Sequence, residues 1–136
     1  PPHYRVQYGM TMDRPPEEIE WYFDRFMDLI QDCQDRRSEL SLRQARYKAR
    51  AVKGRVYWKI FIDTEEIATG FDIDYVKGIT RSNIFGFVRR KDGAIFRAAT
   101  YKAPETRTKT AIRGYISDDN PREYFTDYGI VYAEGP

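Results

Sequence analysis

Residues 83–100, Asn-Ile-Phe-Gly-Phe-Val-Arg-Arg-Lys-Asp-Gly-Ala-Ile-Phe-Arg-Ala-Ala-Thr, carry the reading of the fold. Asp92-Gly93 stands between two apolar and aromatic runs, Asn83 to Arg89 and Ala94 to Thr100. That pair is among the strongest short hairpin signals: Gly takes the positive φ a tight turn needs, and Asp bonds its own turn backbone. Gly86 inside the first run predicts close packing or a bulge. With Gly93 it does not make the spacing of a phosphate-cradling loop. Ala103-Pro104 ends the second run, because proline donates nothing to a ladder.

Upstream, Arg55-Val-Tyr-Trp-Lys-Ile-Phe-Ile62 is β-branched and aromatic and reads as a largely buried strand. Asp63 to Gly70 reads as a connection, Phe71 to Val76 as a strand or extended edge, and Gly78 to Ser82 as a turn. Further back the period changes. Ile19, Tyr22, Phe23, Phe26, Met27, Ile30 and Cys33 recur three or four apart, which predicts an amphipathic helix to about Arg37. Asp13-Arg14-Pro15-Pro16 suits its start, and Glu17, Glu18 and Glu20 suit its positive end. Ser38 to Val52 lacks breakers and predicts a second helix or a continuation, ending near Lys53-Gly54. His3 to Met12 reads as an extended opening. Downstream, Glu105 to Arg113 is assigned a short helix, and Ile130-Val131-Tyr132 a terminal strand. Helices first and strands after predict an α+β fold. An N-terminal helical region, 1–54, packs on a small, mostly antiparallel sheet from 55–136 built around the central hairpin. With 136 residues and no linker or repeat, one domain is expected.

The net charge of +2 conceals alternating blocks. Asp13, Glu17, Glu18, Glu20, Asp24, Asp28, Asp32 and Asp35 face only Arg14 and Arg25 in 13–35. Arg36, Arg37, Arg43, Arg46, Lys48, Arg50, Lys53, Arg55 and Lys59 face only Glu39 in 36–59. Such blocks pair within a fold, pair with other subunits, or present a basic face to phosphates. A single cysteine, Cys33, permits no intrachain disulfide and fits a reducing compartment, or a particle that assembles in one. No apolar run is long enough to span a bilayer, and Pro1-Pro2-His3 lacks a signal-peptide pattern.

No catalytic constellation emerges. His3 is the only histidine, and Cys33 lies on the apolar stripe, where it reads as a small core residue rather than a nucleophile. One Cys and one His exclude the usual zinc sets. Asp72 and Asp74 share a strand side but read as a solvated face, and Asp118-Asp119 as a turn or cap. Neither metal nor other cofactor is expected. The chemical signal is the mixture of cations and rings. Tyr101, Lys102, Arg107, Lys109, Arg113 and Tyr115 form one candidate contact surface. Arg43, Arg46, Tyr47, Lys48 and Arg50 form a secondary basic patch. Lys and Arg neutralise phosphates and rings stack on unpaired bases. The same groups also match acidic protein surfaces such as the 13–35 helix of a neighbour.

The hairpin and arm resemble a segment found in small bacteriophage proteins of unassigned function, especially from marine and other environmental phages. Its pattern is Phe-Val, a short Asp/Thr-Gly turn, an Ile/Leu-Lys-Ala-Ala-Ser-Trp-Lys-Ala-Pro run and an Ala-Arg-Gly-Asn-Ile-like close. The matching residues are Phe87-Val88, Asp92-Gly93, Ile95, Arg97 through Pro104 and Ile112 through Ile116. Tyr101 stands where Trp is usual, and Glu105 to Thr110 lengthens the stretch before Arg113. The resemblance implies a phage or virus origin, with residence in a virion or the host cytoplasm, and supplies no activity. The expected function is therefore a non-enzymatic phage protein that self-associates or docks to virion proteins. The alternatives are a small DNA- or RNA-binding accessory protein using the arm, and an inhibitor of a host protein whose acidic helix imitates nucleic acid. No membrane and no small-molecule substrate is expected.

Overall fold

The computed structural model describes residues 15–41, 45–69 and 74–131. Helix α1, Pro16–Leu40, begins where the Pro pair and Glu17 and Glu18 place it and runs three residues past the expected end. Its apolar stripe, Ile19, Phe23, Phe26, Ile30 and Cys33, is buried. It packs on one face of a five-stranded antiparallel sheet ordered β1 (Ala45–Lys53), β2 (Tyr57–Thr69), β3 (Asp74–Arg89), β4 (Ala94–Phe96), β5 (Gly114–Tyr115). A 3-10 turn, Pro121–Tyr124, leads into the small pair β6 (Phe125–Thr126) and β7 (Gly129–Ile130). The architecture is the expected α+β with its hairpin. Of the expected terminal strand, Ile130 lies in β7 and Val131 just beyond it, while Tyr132 lies outside the described residues. Among the described residues, no helix is long and apolar enough to cross a membrane.

The main core lies between α1 and the inner sheet face. Trp58, Ile60 and Ile62 of β2, Val88 of β3 and Ile95 of β4 meet the helix stripe, and Phe85, Phe125 and Ile130 close one side. Phe23 stacks on Trp58 with ring centroids 4.0 Å apart. The β3–β4 loop is held by Asp92, whose carboxylate accepts from Arg89 at 3.0 and 2.6 Å and from the Ala94 N–H at 3.1 Å. Gly93 takes φ 77°, as the turn requires. Gly86 sits beside a register shift at Ile60/Phe61, and a Cβ there would overlap the Ile130 side chain.

Four expectations are corrected. The second helix or continuation expected over 38–52 holds only as far as Leu40, where α1 ends, since Ala45–Lys53 is edge strand β1. Ala, Arg and Lys suit helices, but pairing along β2 and the docking of α1 outweigh that weak local preference. Asp63–Gly70 is not a connection, because β2 continues to Thr69, and Gly78–Ser82 is not a turn, because β3 runs through it. Register shifts at Thr64/Glu65 and Glu66/Ile67 absorb the irregularity those residues signalled. Glu105–Arg113 is not helical. Thr106, Thr108 and Thr110 are poor helix formers, and the Glu105 side chain accepts from the Arg107 N–H at 2.8 Å, competing with helical bonding.

β1 leaves an open edge, and α1 covers half of it. Gln31 donates to the Tyr47 carbonyl at 3.1 Å and accepts from the Ala49 N–H at 2.8 Å, while Ser38 Oγ accepts from the Tyr47 N–H at 3.0 Å. These side chains replace a neighbouring strand and block edge pairing. Gln31→Ala is expected to lower stability by about 2 kcal/mol, since two backbone groups lose their partner. Urea unfolding reads the loss, and a concentration-dependent rise in aggregation should accompany it.

Candidate functional site

Register sends alternate side chains to opposite faces of the sheet. On the face away from α1, Arg46 lies opposite Glu65, Lys48 opposite Asp63, Arg50 opposite Phe61, and Val52 opposite Lys59. Next along the sheet, Ser82 faces Asp63, Ile84 faces Phe61, Phe87 faces Lys59, and Phe96 faces Phe87. A smaller apolar cluster of Phe87, Ala94, Phe96 and Ala111 sits on this outer face, with Tyr57, Ile84, Ala98 and Tyr115 against it. Ala111 belongs to the arm after β4, so the arm folds back over this end of the sheet.

Asp63 organises the exposed end. Its buried carboxylate accepts from Arg50 Nε at 2.7 Å and Nη2 at 3.1 Å, and from Ser82 Oγ at 2.5 Å. The Arg50 bond holds the Asp63 carboxyl below the usual carboxylate range, against the opposing pull of burial. Arg50 is thereby fixed with its guanidinium 4.5 Å from the Phe61 ring centroid. Tyr101, reaching back from the arm, lays its ring 5.3 Å from Phe61 at 53° and stays 56% exposed. Lys59 Nζ stands 5.5 Å from the Tyr101 centroid and 5.9 Å from that of Phe61. The result is an exposed ring on a buried ring, bracketed by two cations, with Arg46 and Lys48 exposed further along the same face.

The expected contact residues separate. Tyr101 joins the sheet face, and Lys102, Arg107 and Lys109 are exposed on the arm. Tyr115 is half-buried on β5, packed against the outer apolar cluster. Arg113 is half-buried, and burial, with Arg97 nearby, pushes its guanidinium pKa down. In the secondary patch, Arg46, Lys48 and Arg50 share the outer face. Tyr47 points the other way, its ring 3.7 Å from the Arg37 guanidinium. Arg43, His3 and Asp72 lie outside the described residues. Lys59 and Phe61 were missed as site residues. Their signal was the alternation Tyr57, Lys59, Phe61, Asp63 against Trp58, Ile60, Ile62, which places a lysine and an acid on one side of a strand otherwise read as buried.

The opposite side of the molecule is acidic. Glu17, Glu20, Asp24, Asp28, Asp32, Asp35 and Glu39 are all exposed on α1. Of the helix's three arginines Arg36 is exposed, while Arg25 and Arg37 turn inward. Arg25 donates to the carbonyls of Ile116 at 2.7 Å and Asp118 at 2.9 Å, while Arg37 lies against Tyr47 and Tyr128. The fold thus carries acids on its helix layer and bases on its outer sheet face.

Cys33 is buried in the core, its Sγ donating to Asp127 Oδ1 at 2.6 Å, and burial raises its pKa. Among the described residues, no group of three or more His, Cys, Asp or Glu side chains clusters as metal ligands do. Asp118 caps the turn after β5, accepting from the Tyr115 N–H at 3.0 Å and the Tyr124 hydroxyl at 2.6 Å.

The titrating groups set the pH range of the fold. Burial alone raises Asp92, but the Arg89 bonds and the Ala94 N–H outweigh it and leave its pKa, like that of Asp63, lowered. A lowered carboxyl stabilises above its unfolded pKa of about 3.9, and that stability is lost as pH falls through the folded value. The Tyr124 pKa is raised from 10.0 to about 12 by its bond to Asp118. Its contribution is complete below the unfolded value and lost as pH rises through about 12. Urea midpoints across pH should therefore fall on both sides, beginning near about pH 4 in acid. A flat acid limb contradicts the Asp63 and Asp92 assignments.

Comparison with protein-family models, with curated proteins and with solved structures returns no match.

Proposed function

We propose that this chain is a non-enzymatic phage structural protein that self-associates head to tail, the acidic helix layer of one copy seating on the basic sheet face of the next. The observation that carries the reading is the segregation of charge to opposite faces of a two-layer fold. Spacing supports it. Acids four residues apart on α1 repeat every ~6 Å, and bases two residues apart on β1 repeat every ~6.8 Å. The rows Asp24-Asp28-Asp32 and Arg46-Lys48-Arg50 are therefore nearly commensurate over their length, while Glu20, at the end of the acidic row, is paired within the molecule with Lys53 at 3.2 Å. Unlike patches on one molecule make a heterologous contact, which propagates into rings or filaments. The phage setting comes from the resemblance of the 83–116 segment.

Sedimentation velocity over a range of protein concentration, at low and high ionic strength, tests the reading. Assembly should grow with concentration and recede with added salt, because exposed ion pairs are screened. A monomer at every concentration and low salt contradicts it.

A further inference from the structure

Charge pairing alone leaves Tyr101 unexplained. A salt-bridged interface needs rows of cations, and β1 supplies them. It does not need an exposed phenol ring held by a second ring and two cations at one end of those rows. Phe61 beneath is buried and fixed by Arg50, so Tyr101 rests on a rigid base rather than swinging in solvent. Lys59 lies between the rings of Phe61, Phe87 and Tyr101, at 5.9, 5.7 and 5.5 Å. The patch is continuous with exposed Arg46 and Lys48.

We infer that this face is a single-stranded nucleic-acid site, in which Tyr101 stacks on an unpaired base while Lys59, Lys48 and Arg46 hold the flanking phosphates. Only an unpaired strand presents a base face to an exposed ring, and stacking tolerates any base. A duplex offers its phosphates to the same cations and leaves Tyr101 idle. The strand therefore binds more tightly than the duplex. The second half of the inference rests on the head-to-tail reading: nucleic acid and the acidic helix of a neighbouring copy compete for one basic surface. Bound strand then releases neighbours, and assembly excludes strand.

The test uses a fluorescein-labelled oligothymidylate and a duplex of equal length, titrated with the full chain and read by anisotropy at two ionic strengths. The single strand should bind with strong salt dependence and more tightly than the duplex. Tyr101→Ala should weaken it about tenfold or more, whereas Tyr101→Phe, which keeps the ring, should bind like the parent. Tyr101 is largely exposed, so both variants should fold. Lys59→Gln should lower the salt slope by about one. A variant with Asp24, Asp28 and Asp32 changed to Asn, whose assembly is strongly weakened on the head-to-tail reading, isolates the two claims. It should bind strand at least as well as the parent. Equal affinity for duplex and strand, an unchanged affinity in Tyr101→Ala, or no salt-dependent binding by this variant overturns the site. Strand binding that leaves assembly of the parent unaltered overturns the competition and spares the site.

Discussion

Neutralising Asp24, Asp28 and Asp32 together (D24N/D28N/D32N) is expected to weaken head-to-tail assembly roughly thirtyfold while leaving the fold intact. All three are exposed on α1, on the side away from its buried stripe. Arg46→Gln with Lys48→Gln should do the same from the other side of the contact. Arg50 is avoided, because its loss strands the buried Asp63 carboxylate. Each exposed pair contributes about 0.2–1 kcal/mol, so three lost together weaken a contact by about 2 kcal/mol, or roughly thirtyfold. The decisive sample is the equimolar mixture. The acid-neutral variant keeps a basic sheet face and the base-neutral variant keeps an acidic helix, so one good contact can form and neither free end can extend it. Dimers should therefore appear in the mixture and in neither variant alone. Larger assemblies in a single variant, or a mixture that stays monomeric, contradict the heterologous arrangement. Native mass measurement separates these results.

Phe26→Ala should give the largest loss of stability, about 3–5 kcal/mol. The ring is 0% exposed, lies mid-helix, and meets Phe125 edge to face at 5.5 Å. Truncation removes the ring contact of α1 with Phe125 and leaves a cavity that the sheet behind it is too rigid to fill. Against a total of about 5–15 kcal/mol for a small domain, this is a large share. The urea midpoint should fall with little change in slope. Since α1 holds its acids outward only while its stripe is seated on the sheet, assembly should fail under conditions where the variant unfolds and persist where it remains folded. A loss under about 1 kcal/mol would mean that the helix is not seated as described.

Helix α1, the hairpin and the strand over 57–62 were legible in the sequence because their signals are local. The stripe from Ile19 to Cys33 repeats at helical spacing, Pro15-Pro16 marks its start, and Asp92-Gly93 can hardly be anything but a turn. The α+β class follows from those three. β1 was not legible. Ala45-Arg-Tyr-Lys-Ala-Arg-Ala51 holds mostly good helix formers, and it becomes a strand because β2 offers a ladder, Gln31 and Ser38 cover its edge, and Asp63 needs Arg50. Each of those partners lies far away in the chain or acts only after α1 has docked. The charge blocks could be counted in the sequence, but their placement on opposite faces depended on β1 turning Arg46, Lys48 and Arg50 away from the helix. The same holds for the site. Tyr101 was singled out with its sequence neighbours Arg113 and Tyr115, yet its physical neighbours are Phe61, Lys59 and Arg50, from strands about forty to fifty residues earlier. Spacing along the chain reports which residues can share a turn or a strand face; which distant faces meet is settled by packing, and packing made the surface.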